Sequence, residues 1–418
     1  MRTIWHPFTQ HALEPPMRSI VRADGAWLTA EDGARILDGI SSWWVITHGH
    51  RHPHIVEAIR RQAELLDQII FAEYTHEPAE RLAAKLIAIA PAGLEHVFFS
   101  DSGSTSVEVA LKMALGYWQH RAEPRARIIV MEHSYHGDTI GAMSVGARGP
   151  FNEPYAPLLF EVARIPFPAP GREAETLAAL TRLCESGDAA ACIVEPLVLG
   201  AGGMRMYAPT VLSALHAICA AHGVLFIADE IMTGWGRTGT RFACEQAGLT
   251  PDILCLSKGL TGGALPLAVT LCRRALFDAH YSPDRRRMFF HSSSFTANPI
   301  ACAAALANLE VWEREPVPER IAALSGRQRT QLERLRGDPR FESLRQCGTI
   351  AAVDLKVKDA GYLAEVGPRL RASFRAADVL LRPLGNTIYV MPPYCIAGDE
   401  LTRLYDAILT ATAELAGR

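Results

Sequence analysis

Short apolar runs alternate with amphipathic stretches of helical period from about residue 55 to residue 309. The runs are rich in β-branched and other apolar residues and occupy positions 97–99, 128–131, 191–194, 224–228, 253–256 and 268–271. The stretches between them place apolar residues on one helical face, as in residues 102–119, which open with serine and glycine caps. This alternation predicts an α/β fold with a largely parallel sheet, and such sheets bind ligands at the carboxyl ends of their strands.

The last hundred residues follow a different pattern. An Arg- and Glu-rich amphipathic stretch at 317–335 precedes a strand-like run at 348–355, and a terminal helix follows the extended segment 379–394. This pattern predicts a smaller α+β domain, which the N-terminal segment joins through strands at 26–29 and 35–38. The predicted division of the chain is an N-terminal segment at 1–50, a large domain at 51–310 and a C-terminal small domain at 311–418.

Composition and charge exclude several classes of protein. The 418 residues are 49% hydrophobic, which is enough to fill a sizeable core. Lys and Arg number 42 against 45 Asp and Glu, and this net charge of -3 argues against a strongly basic nucleic-acid surface. No apolar stretch approaches the ~20 residues of a membrane-spanning helix, and the first ten residues lack the layout of a signal peptide. We therefore expect a cytoplasmic protein without nucleic-acid or membrane partners.

Two ionisable residues follow neighbouring strand runs. Asp229 ends the run at 224–228, and Lys258 follows the run at 253–256. The carboxyl ends of parallel strands meet at one edge of a sheet, so a desolvated lysine is expected there near a carboxylate. Such a pair suggests a pyridoxal phosphate site, in which the lysine binds the aldehyde and the aspartate keeps the pyridine nitrogen protonated. Taken alone, Asp229 could be a helix cap or half of a structural ion pair, and Lys258 a surface residue.

A serine- and glycine-rich turn and an aromatic residue follow two further strand runs. The backbone N–H groups of Gly103 and Ser104 open the predicted helix at 102–119, and a helix N-terminus is a ready site for a phosphate group. Tyr135 follows the run at 128–131 and could stack on a flat cofactor ring or bind substrate. The simpler alternatives are an ordinary helix cap for the first feature and a capped turn for the second.

Four histidines between residues 48 and 54 raise the question of a metal site. The neighbouring glycine and proline imply a turn, and no Cys or carboxylate set stands at ligand spacing, so we expect no bound metal. The glycines that follow Lys258 do not form a dinucleotide-binding motif, because the first-strand GxGxxG and its later acidic residue are absent.

Taken together, these features resemble the class III pyridoxal-phosphate aminotransferases, and the resemblance covers nearly the whole chain. Within that family the match narrows to the members that act in biotin biosynthesis. The narrowing depends on five motifs, which are WHPFTQ (5–10), DGISSWWVITHGHRHP (38–53), YHGDTIGAMS (135–144), GAGGMRMY (200–207) and RPLGNTIYVMPPY (382–394). The resemblance implies the fold type I of pyridoxal phosphate-dependent transferases, with a large domain around a mostly parallel sheet and a smaller α+β domain.

The resemblance also implies a role for each matching residue at the cofactor. Lys258 matches the lysine that forms the Schiff base, and Asp229 matches the partner of the pyridinium nitrogen. Gly103 and Ser104 match the phosphate-binding turn. Tyr135 matches the residue beside the cofactor ring and the substrate.

Further positions match the substrate pocket and the subunit interface. Trp43 matches a pocket wall, and Arg382 matches the arginine that receives the acceptor's carboxylate. Phe8 stands where some members carry tyrosine, so any substrate contact of that hydroxyl, on the order of 1 kcal/mol, is missing here. Three serines match a segment that reaches the phosphate and substrate from the neighbouring subunit, which implies a homodimer with its site at the interface; they are Ser292, Ser293 and Ser294. Ser294, where relatives often carry Thr, keeps the hydroxyl.

The implied reaction is a ping-pong transfer of the amino group of S-adenosylmethionine, by way of pyridoxal phosphate, to 8-amino-7-oxononanoate, which yields 7,8-diaminononanoate. The nearest alternative is another class III aminotransferase that takes an ω-amino acid or a diamine as donor. An alternative of a different class is a non-catalytic module that only binds the cofactor. The presence of both Lys258 and Asp229 argues against such a module.

Overall fold

A computed structural model describes residues 3–123, 125–358 and 360–416. The strands, in chain order, are β1 (Ile20–Asp24), β2 (Trp27–Ala30), β3 (Arg35–Asp38), β4 (Leu94–Ser100), β5 (Arg127–Met131), β6 (Ala163–Ile165), β7 (Ala189–Val194), β8 (Val198–Leu199), β9 (Arg205–Met206), β10 (Leu225–Asp229), β11 (Ile253–Leu256), β12 (Ala268–Arg273), β13 (Phe341–Cys347), β14 (Ile350–Leu355), β15 (Val379–Leu380) and β16 (Thr387–Val390).

The helices lie between these strands and at the C-terminal end. They are α1 (Ser41–Trp44), α2 (Pro53–Ala63), α3 (Glu77–Ile89), α4 (Gly103–His120), α5 (Ile140–Ser144), α6 (Glu173–Glu185), α7 (Pro209–Ala221), α8 (Arg274–His280), α9 (Pro299–Arg314), α10 (Val317–Glu333), α11 (Val366–Ala376) and α12 (Gly398–Ala416). Short 3₁₀ turns occupy Glu153–Leu158, Ala243–Ala247, Lys258–Thr261 and Arg285–Arg287. No helix among the described residues is long and apolar enough to cross a membrane.

Seven strands form the central sheet in the order β4-β12-β11-β10-β7-β5-β6. Strand β10 runs parallel to both of its neighbours, β7 and β11, whereas β12 runs antiparallel to β11 and β4. Every residue of β7, β10 and β11 is buried, as expected for strands covered on both faces. The register pairs Asp229 with Cys255, so the end of β10 lies beside the end of β11.

Helix α4 carries the glycine- and serine-rich turn to the same edge of this sheet. Its N-cap Ser102 accepts a hydrogen bond from the backbone N–H of Thr105, and the Thr105 hydroxyl accepts one from the N–H of Ser102. This reciprocal cap fixes where the helix begins. The buried stripe along α4 packs against the sheet, so its N-terminus lies at the carboxyl edge, as the sequence predicts.

Two smaller sheets lie outside the central one. One has the order β1-β2-β3-β15 and the other β13-β14-β16. The parallel pairing of β3 with β15 joins the N-terminal segment to the C-terminal part of the chain, and Arg18 forms an ion pair with Asp378. This pairing agrees with an N-terminal segment that belongs to the small domain. The domain limits themselves stay a prediction, and helix α9 continues through the limit placed at residue 310.

The four histidines near residue 50 each bond to a different side chain. Their partners are Asn308 for His48, Asp38 for His50, Glu315 for His52 and Glu310 for His54, at 2.7 to 2.9 Å. Two of these partners lie at the end of α9 and a third directly after it, so the histidines fasten the start of α2 to that helix. Within the described ranges, no group of three or more His, Cys, Asp or Glu side chains could hold a metal ion.

Candidate active site

A cavity of about 320 Å³ lies at the carboxyl edge of the central sheet. That volume is within the usual range for small-molecule sites. Most of the site residues predicted from the sequence line it, namely Phe8, Trp43, Gly103, Ser104, Tyr135, Asp229, Lys258 and Arg382. The fold therefore brings together residues that are far apart in the chain.

Asp229 ends strand β10 and is buried at the base of the cavity. Its Oδ2 accepts a hydrogen bond from Nδ1 of His136 at 2.7 Å, and its Oδ1 accepts the backbone N–H of Ile231 at 3.1 Å. A buried carboxylate requires such donors, and two of them hold the Asp229 side chain in one orientation. Its remaining lone pairs can accept a hydrogen bond from a ring N–H in the cavity.

The next acidic residue, Glu230, faces a different part of the molecule. Its carboxylate oxygens accept the backbone N–H groups of Ala243 at 2.6 Å and Cys244 at 2.8 Å. Burial raises the pKa of Glu230 to about 7. Glu230 does not line the cavity, so of the two paired acids only Asp229 belongs to the site.

Lys258 begins a 3₁₀ turn two residues after strand β11. Its φ of 46° is in the left-handed region, which side chains with a Cβ seldom adopt, and it turns the lysine toward the cavity. The ammonium lies 4.8 Å from the centre of the Trp44 ring. Burial lowers the pKa of Lys258 to about 8, although the nearby charges of Asp229 and Glu195 oppose this shift. An amine with that pKa is partly neutral at physiological pH and can act as a nucleophile.

The first turn of α4 presents backbone donors to the cavity. The N–H groups of Gly103 and Ser104 have no hydrogen-bond acceptor among the described residues. The Ser104 hydroxyl accepts the N–H of Asp138 at 3.2 Å, which ties the turn after β5 to this helix start. A Cβ at Gly137 would lie 2.2 Å from the Ser104 oxygen, so only glycine fits there. Free N–H groups at a helix N-terminus form a suitable site for a phosphate.

Aromatic rings form one wall of the cavity. Tyr135 meets Phe151 edge to face with ring centres 6.4 Å apart, and Phe8 contacts Phe151 at 5.9 Å. Burial, followed by the nearby charge of Asp138, raises the pKa of the Tyr135 hydroxyl above its usual range, so the hydroxyl keeps its proton and can donate it. Such rings suit flat or apolar parts of a ligand.

Arg382 brings a positive charge to the cavity. Its guanidinium lies 5.4 Å from the centre of the Trp43 ring, and its Nη2 donates to the main-chain oxygen of Phe8 at 3.1 Å. No carboxylate within the described part of the chain forms an ion pair with it. The remaining N–H groups of the guanidinium are free to bind a carboxylate of a ligand.

The three predicted serines do not line this cavity. They lie on the segment between α8 and α9, where the main-chain oxygen of Ser294 accepts a hydrogen bond from Gln68 and the N–H of Ser293 donates to Thr296. The Ser293 hydroxyl is buried without a hydrogen-bond partner among the described residues. Their role at the site of a neighbouring subunit stays a prediction.

Two residues of the cavity that sequence analysis did not single out contact predicted ones. His136 holds Asp229, and Glu195 accepts the backbone N–H groups of Tyr135 and Gly200. Trp44, which neighbours Trp43 in the SSWW motif expected to line the pocket, covers Lys258. Glu195 follows strand β7 directly, so the strand-end rule that found Asp229 could also have found it. The pairing of His136 with Asp229 depends on tertiary structure and left no local signal.

Comparisons with known proteins agree with this geometry. A family model described as aminotransferase class-III matches residues 8–412. The chain is 48% identical to adenosylmethionine-8-amino-7-oxononanoate aminotransferase of Synechococcus elongatus over 99% of both chains. It is 40% identical to the protein of the same name from Geobacter sulfurreducens, over 97% of this chain and 95% of that relative.

Solved structures give the same result. The crystal structure of the enzyme of that name from Methanocaldococcus jannaschii matches with a TM-score of 0.93 and 34% identity, covering 99% of this chain and 97% of the other. An amine transaminase from an uncultivated Pseudomonas species, solved in its pyridoxal phosphate-bound form, matches with a TM-score of 0.92 and 33% identity over 99% of both chains.

These matches confirm three predictions from the sequence, which are the fold, the cofactor and the family. The fold is that of the type I pyridoxal phosphate-dependent transferases, with a mostly parallel central sheet. The cofactor of the family is pyridoxal 5'-phosphate. The family model and the relatives extend over nearly the whole chain, and the chain therefore belongs to the class III aminotransferases.

Proposed function

We propose that this protein transfers the amino group of S-adenosylmethionine to 8-amino-7-oxononanoate, by way of pyridoxal phosphate, in biotin biosynthesis. The observation that carries the proposal is the position of Arg382. This cation, without an acidic partner among the described residues, lies in the same cavity as Lys258 and Asp229. An acceptor with a ketone at one end and a carboxylate at the other would bridge these groups. The names of the relatives in Synechococcus and Geobacter support the same reaction.

The residues of the cavity fit the cofactor. The free N–H groups of Gly103 and Ser104 suit its phosphate, and the open lone pairs of Asp229 suit its ring N–H. Tyr135 offers an aromatic face, and Lys258 offers an amine for its aldehyde. When bound, pyridoxal phosphate supplies an aldehyde that takes up an amino group and a protonated ring that withdraws electrons from the neighbouring carbon.

Lys258 has two tasks in this reaction. Its neutral amine would hold the cofactor by condensing with the aldehyde, with loss of water. Once displaced by the donor's amino group, Lys258 Nζ would be free to act as the base that takes a proton from the donor's α-carbon and returns it on the cofactor side. A pKa of about 8 suits both tasks, because protonated and neutral forms are both present near neutral pH.

Asp229 would accept the ring N–H of the cofactor and so favour the protonated ring in both halves of the reaction. His136 supports this role, since its Nδ1 donates to Asp229 and its side chain is buried. The neighbouring rings of Trp44 and Tyr389 exclude water near Lys258, and the Trp44 indole donates to the Tyr389 hydroxyl at 2.9 Å. Exclusion of water strengthens the interaction of Asp229 with the protonated ring.

The two substrates use this cavity in turn. Trp43 and Tyr135 provide apolar surface that can contact either of them. Arg382 is assigned to the acceptor, whose carboxylate lies at the far end of its chain from the ketone, whereas the carboxylate of S-adenosylmethionine is attached to the carbon that bears the reacting amino group. A planar guanidinium can bind that carboxylate with two parallel hydrogen bonds.

Replacing Arg382 with alanine is expected to raise the KM for 8-amino-7-oxononanoate by roughly 10- to 150-fold, from the loss of about 1.5–3 kcal/mol of charge-assisted binding. The half-reaction with S-adenosylmethionine should change much less. Single-turnover kinetics of the two halves measure both effects.

The chain offers a closely matched control for this substitution. Arg403 also lies over a tryptophan, 5.3 Å from the centre of the Trp27 ring, and also donates to a main-chain oxygen, that of Ala377, at 3.1 Å. It does not line the cavity. Arg403→Ala should therefore leave both half-reactions unchanged. If Arg382→Ala slowed both half-reactions equally, or neither, the result would contradict the assignment of Arg382 to the acceptor's carboxylate.

A spectral titration tests the proposed reaction as a whole. The purified holoenzyme is mixed with S-adenosylmethionine alone, and the absorbance band of the aldehyde form of the cofactor is expected to convert to that of the amine form. Addition of 8-amino-7-oxononanoate should restore the first band. Conversion by a diamine or an ω-amino acid but not by S-adenosylmethionine would favour the alternative donors, and the absence of any conversion would favour a binding module.

A homodimer in the cytoplasm is part of the proposal. The loop that follows α2 and the segment that carries the serines expose large apolar side chains, namely Leu65, Ile70, Tyr74, Phe290 and Phe295. A hydrogen bond from Gln68 to the main-chain oxygen of Ser294 joins these two segments into one surface. Exposed apolar surface of this kind typically forms an interface. Sedimentation of the holoenzyme as a monomer would contradict the dimer.

A further inference from the structure

Glu195 connects two turns that line the candidate active site. It follows strand β7, and its side chain is almost completely buried. Its Oε1 accepts the backbone N–H of Tyr135, and its Oε2 accepts the backbone N–H of Gly200, each at 2.9 Å. One carboxylate thus holds the turn after β5 and the turn after β8 at a fixed separation.

The two turns are packed closely and are conformationally strained. A Cβ at Gly202 would lie 2.0 Å from the main-chain oxygen of His133, so the glycine turn touches the turn that carries Tyr135. His133 in the first turn has a φ of 65° and Met204 in the second has a φ of 48°, both in the left-handed region that residues with a Cβ seldom occupy. Such conformations persist only where surrounding contacts enforce them.

This arrangement, in which the Glu195 carboxylate accepts the N–H groups of Tyr135 and Gly200, is called the clamp below. It has an electrostatic cost, which the fold tolerates. Burial raises the pKa of Glu195 to about 7, and the charge of Asp229 adds to this effect. His136 and the two backbone N–H groups that donate to Glu195 oppose this rise in pKa. The charge of Lys258 also interacts with that of Glu195. A costly buried carboxylate at the wall of a cavity is typical of a functional site.

We infer that Glu195 is a positioning residue for Tyr135, because its carboxylate fixes the distance between the Tyr135 ring and the glycine turn at residues 200–203. Tyr135 and Ala201 line both the cavity that holds Lys258 and a neighbouring cavity of about 780 Å³. Their separation therefore contributes to the shape of both cavities where the two adjoin. The inference rests on the proposed role of Tyr135 beside the cofactor ring and the substrates.

The test replaces Glu195 with glutamine in the holoenzyme. An amide keeps the size of the side chain, but it has one acceptor oxygen for two N–H donors, so one of the two turns is released. We expect the KM for both substrates to rise about tenfold or more, while the cofactor stays bound to Lys258. The visible circular dichroism of the bound cofactor should also change, since it reports the position of the ring next to Tyr135.

A double variant separates positioning from general loss of structure. Tyr135→Phe removes only the hydroxyl, and its effect on KM should be several-fold smaller in the Glu195→Gln background than in the native enzyme. Non-additivity of this kind indicates that two residues act through the same contact. Strictly additive effects would overturn the inference.

Glu230→Gln is the matched control. Glu230 is also buried, its pKa is also raised to about 7, and it also accepts two backbone N–H groups, but it does not line the cavity. The two variants should lose similar thermal stability, whereas only Glu195→Gln should alter KM and circular dichroism. Equal changes in both variants, or none in Glu195→Gln, would overturn the inference.

Glu195→Asp tests the positioning role of Glu195 if the glutamine variant does not fold. Aspartate retains both acceptor oxygens but is one methylene shorter, so it should draw the two turns together and change the circular dichroism without loss of bound cofactor. An unchanged spectrum would overturn the inference. Circular dichroism and cofactor content do not depend on which substrates the enzyme uses, so failure of the proposed reaction would remain distinguishable from failure of the clamp.

Discussion

Replacing Lys258 with alanine is expected to abolish covalent attachment of the cofactor and to lower turnover by about 10⁴-fold or more. The substitution removes both the nucleophile that holds the aldehyde and the base that moves the proton. Lys258 is the lysine of the cavity, and the others lie elsewhere, at positions 85, 112, 356 and 358. Borohydride reduction of the native holoenzyme followed by peptide mapping checks the attachment, and a label on any other lysine would refute it.

The pH dependence of this attachment gives an independent measure of the same residue. Only the neutral amine attacks an aldehyde, and the pKa of Lys258 is lowered to about 8 by burial. The rate at which the cofactor-free enzyme captures pyridoxal phosphate should therefore rise up to about pH 8 and then level off. A rate that continues to rise to pH 10, as for an ordinary lysine, would show that the amine is not desolvated.

Replacing Asp229 with asparagine is expected to lower turnover by roughly 10²-fold or more while the protein remains folded. A neutral amide no longer stabilises the protonated pyridine, so the ring withdraws electrons less effectively. The rates of both half-reactions should fall together, because both require the protonated ring. Stopped-flow absorbance measures these rates, and thermal denaturation checks that the fold is retained.

Asp252 provides the control for the Asp229 substitution. It lies at the amino end of β11, where its Oδ2 accepts the backbone N–H of Phe226 at 2.8 Å and its Oδ1 forms an ion pair with Arg273. Asp252→Asn should cost stability but leave both half-reactions intact. Native rates in Asp229→Asn would show instead that Asp229 is only a cap for the turn at Ile231.

The sequence alone could predict the part of the site that depends on strand ends. Lys258 and Asp229 each follow a buried run, and the parallel register places such ends side by side. The N-terminus of α4 could be predicted in the same way, because Ser102 is a strong helix cap. These positions follow from local patterns combined with one rule of sheet topology.

The other side of the site could not be derived from local patterns. Phe8 and Arg382 are brought to the cavity through the pairing of β3 with β15, which joins distant parts of the chain. No periodicity reports such a pairing, and only the resemblance to the family pointed to these residues. The bond between His136 and Asp229 is equally non-local.

Two strands of the smaller sheets are also difficult to predict from the pattern of apolar and polar residues. Strand β13 has the sequence FESLRQC, and six of its seven residues are exposed or half-buried. An edge strand of this kind contains charged residues that resemble those of a loop. Strand β1 is mostly exposed as well, whereas β14, which is mostly buried and lies between two partners, was recognisable.

The contact between Phe8 and Arg382 makes the N-terminal stretch part of the proposed acceptor site. The main-chain oxygen of Phe8 accepts a hydrogen bond from the Arg382 guanidinium. The centre of the Phe8 ring lies 5.7 Å from that of the Trp43 ring. Proteolytic trimming up to β1 would leave Lys258, Asp229 and the phosphate-binding turn in place. A trimmed enzyme would then accept one amino group and fail to pass it on, so it would accumulate as a stalled, fully loaded species rather than as an inactive apoprotein.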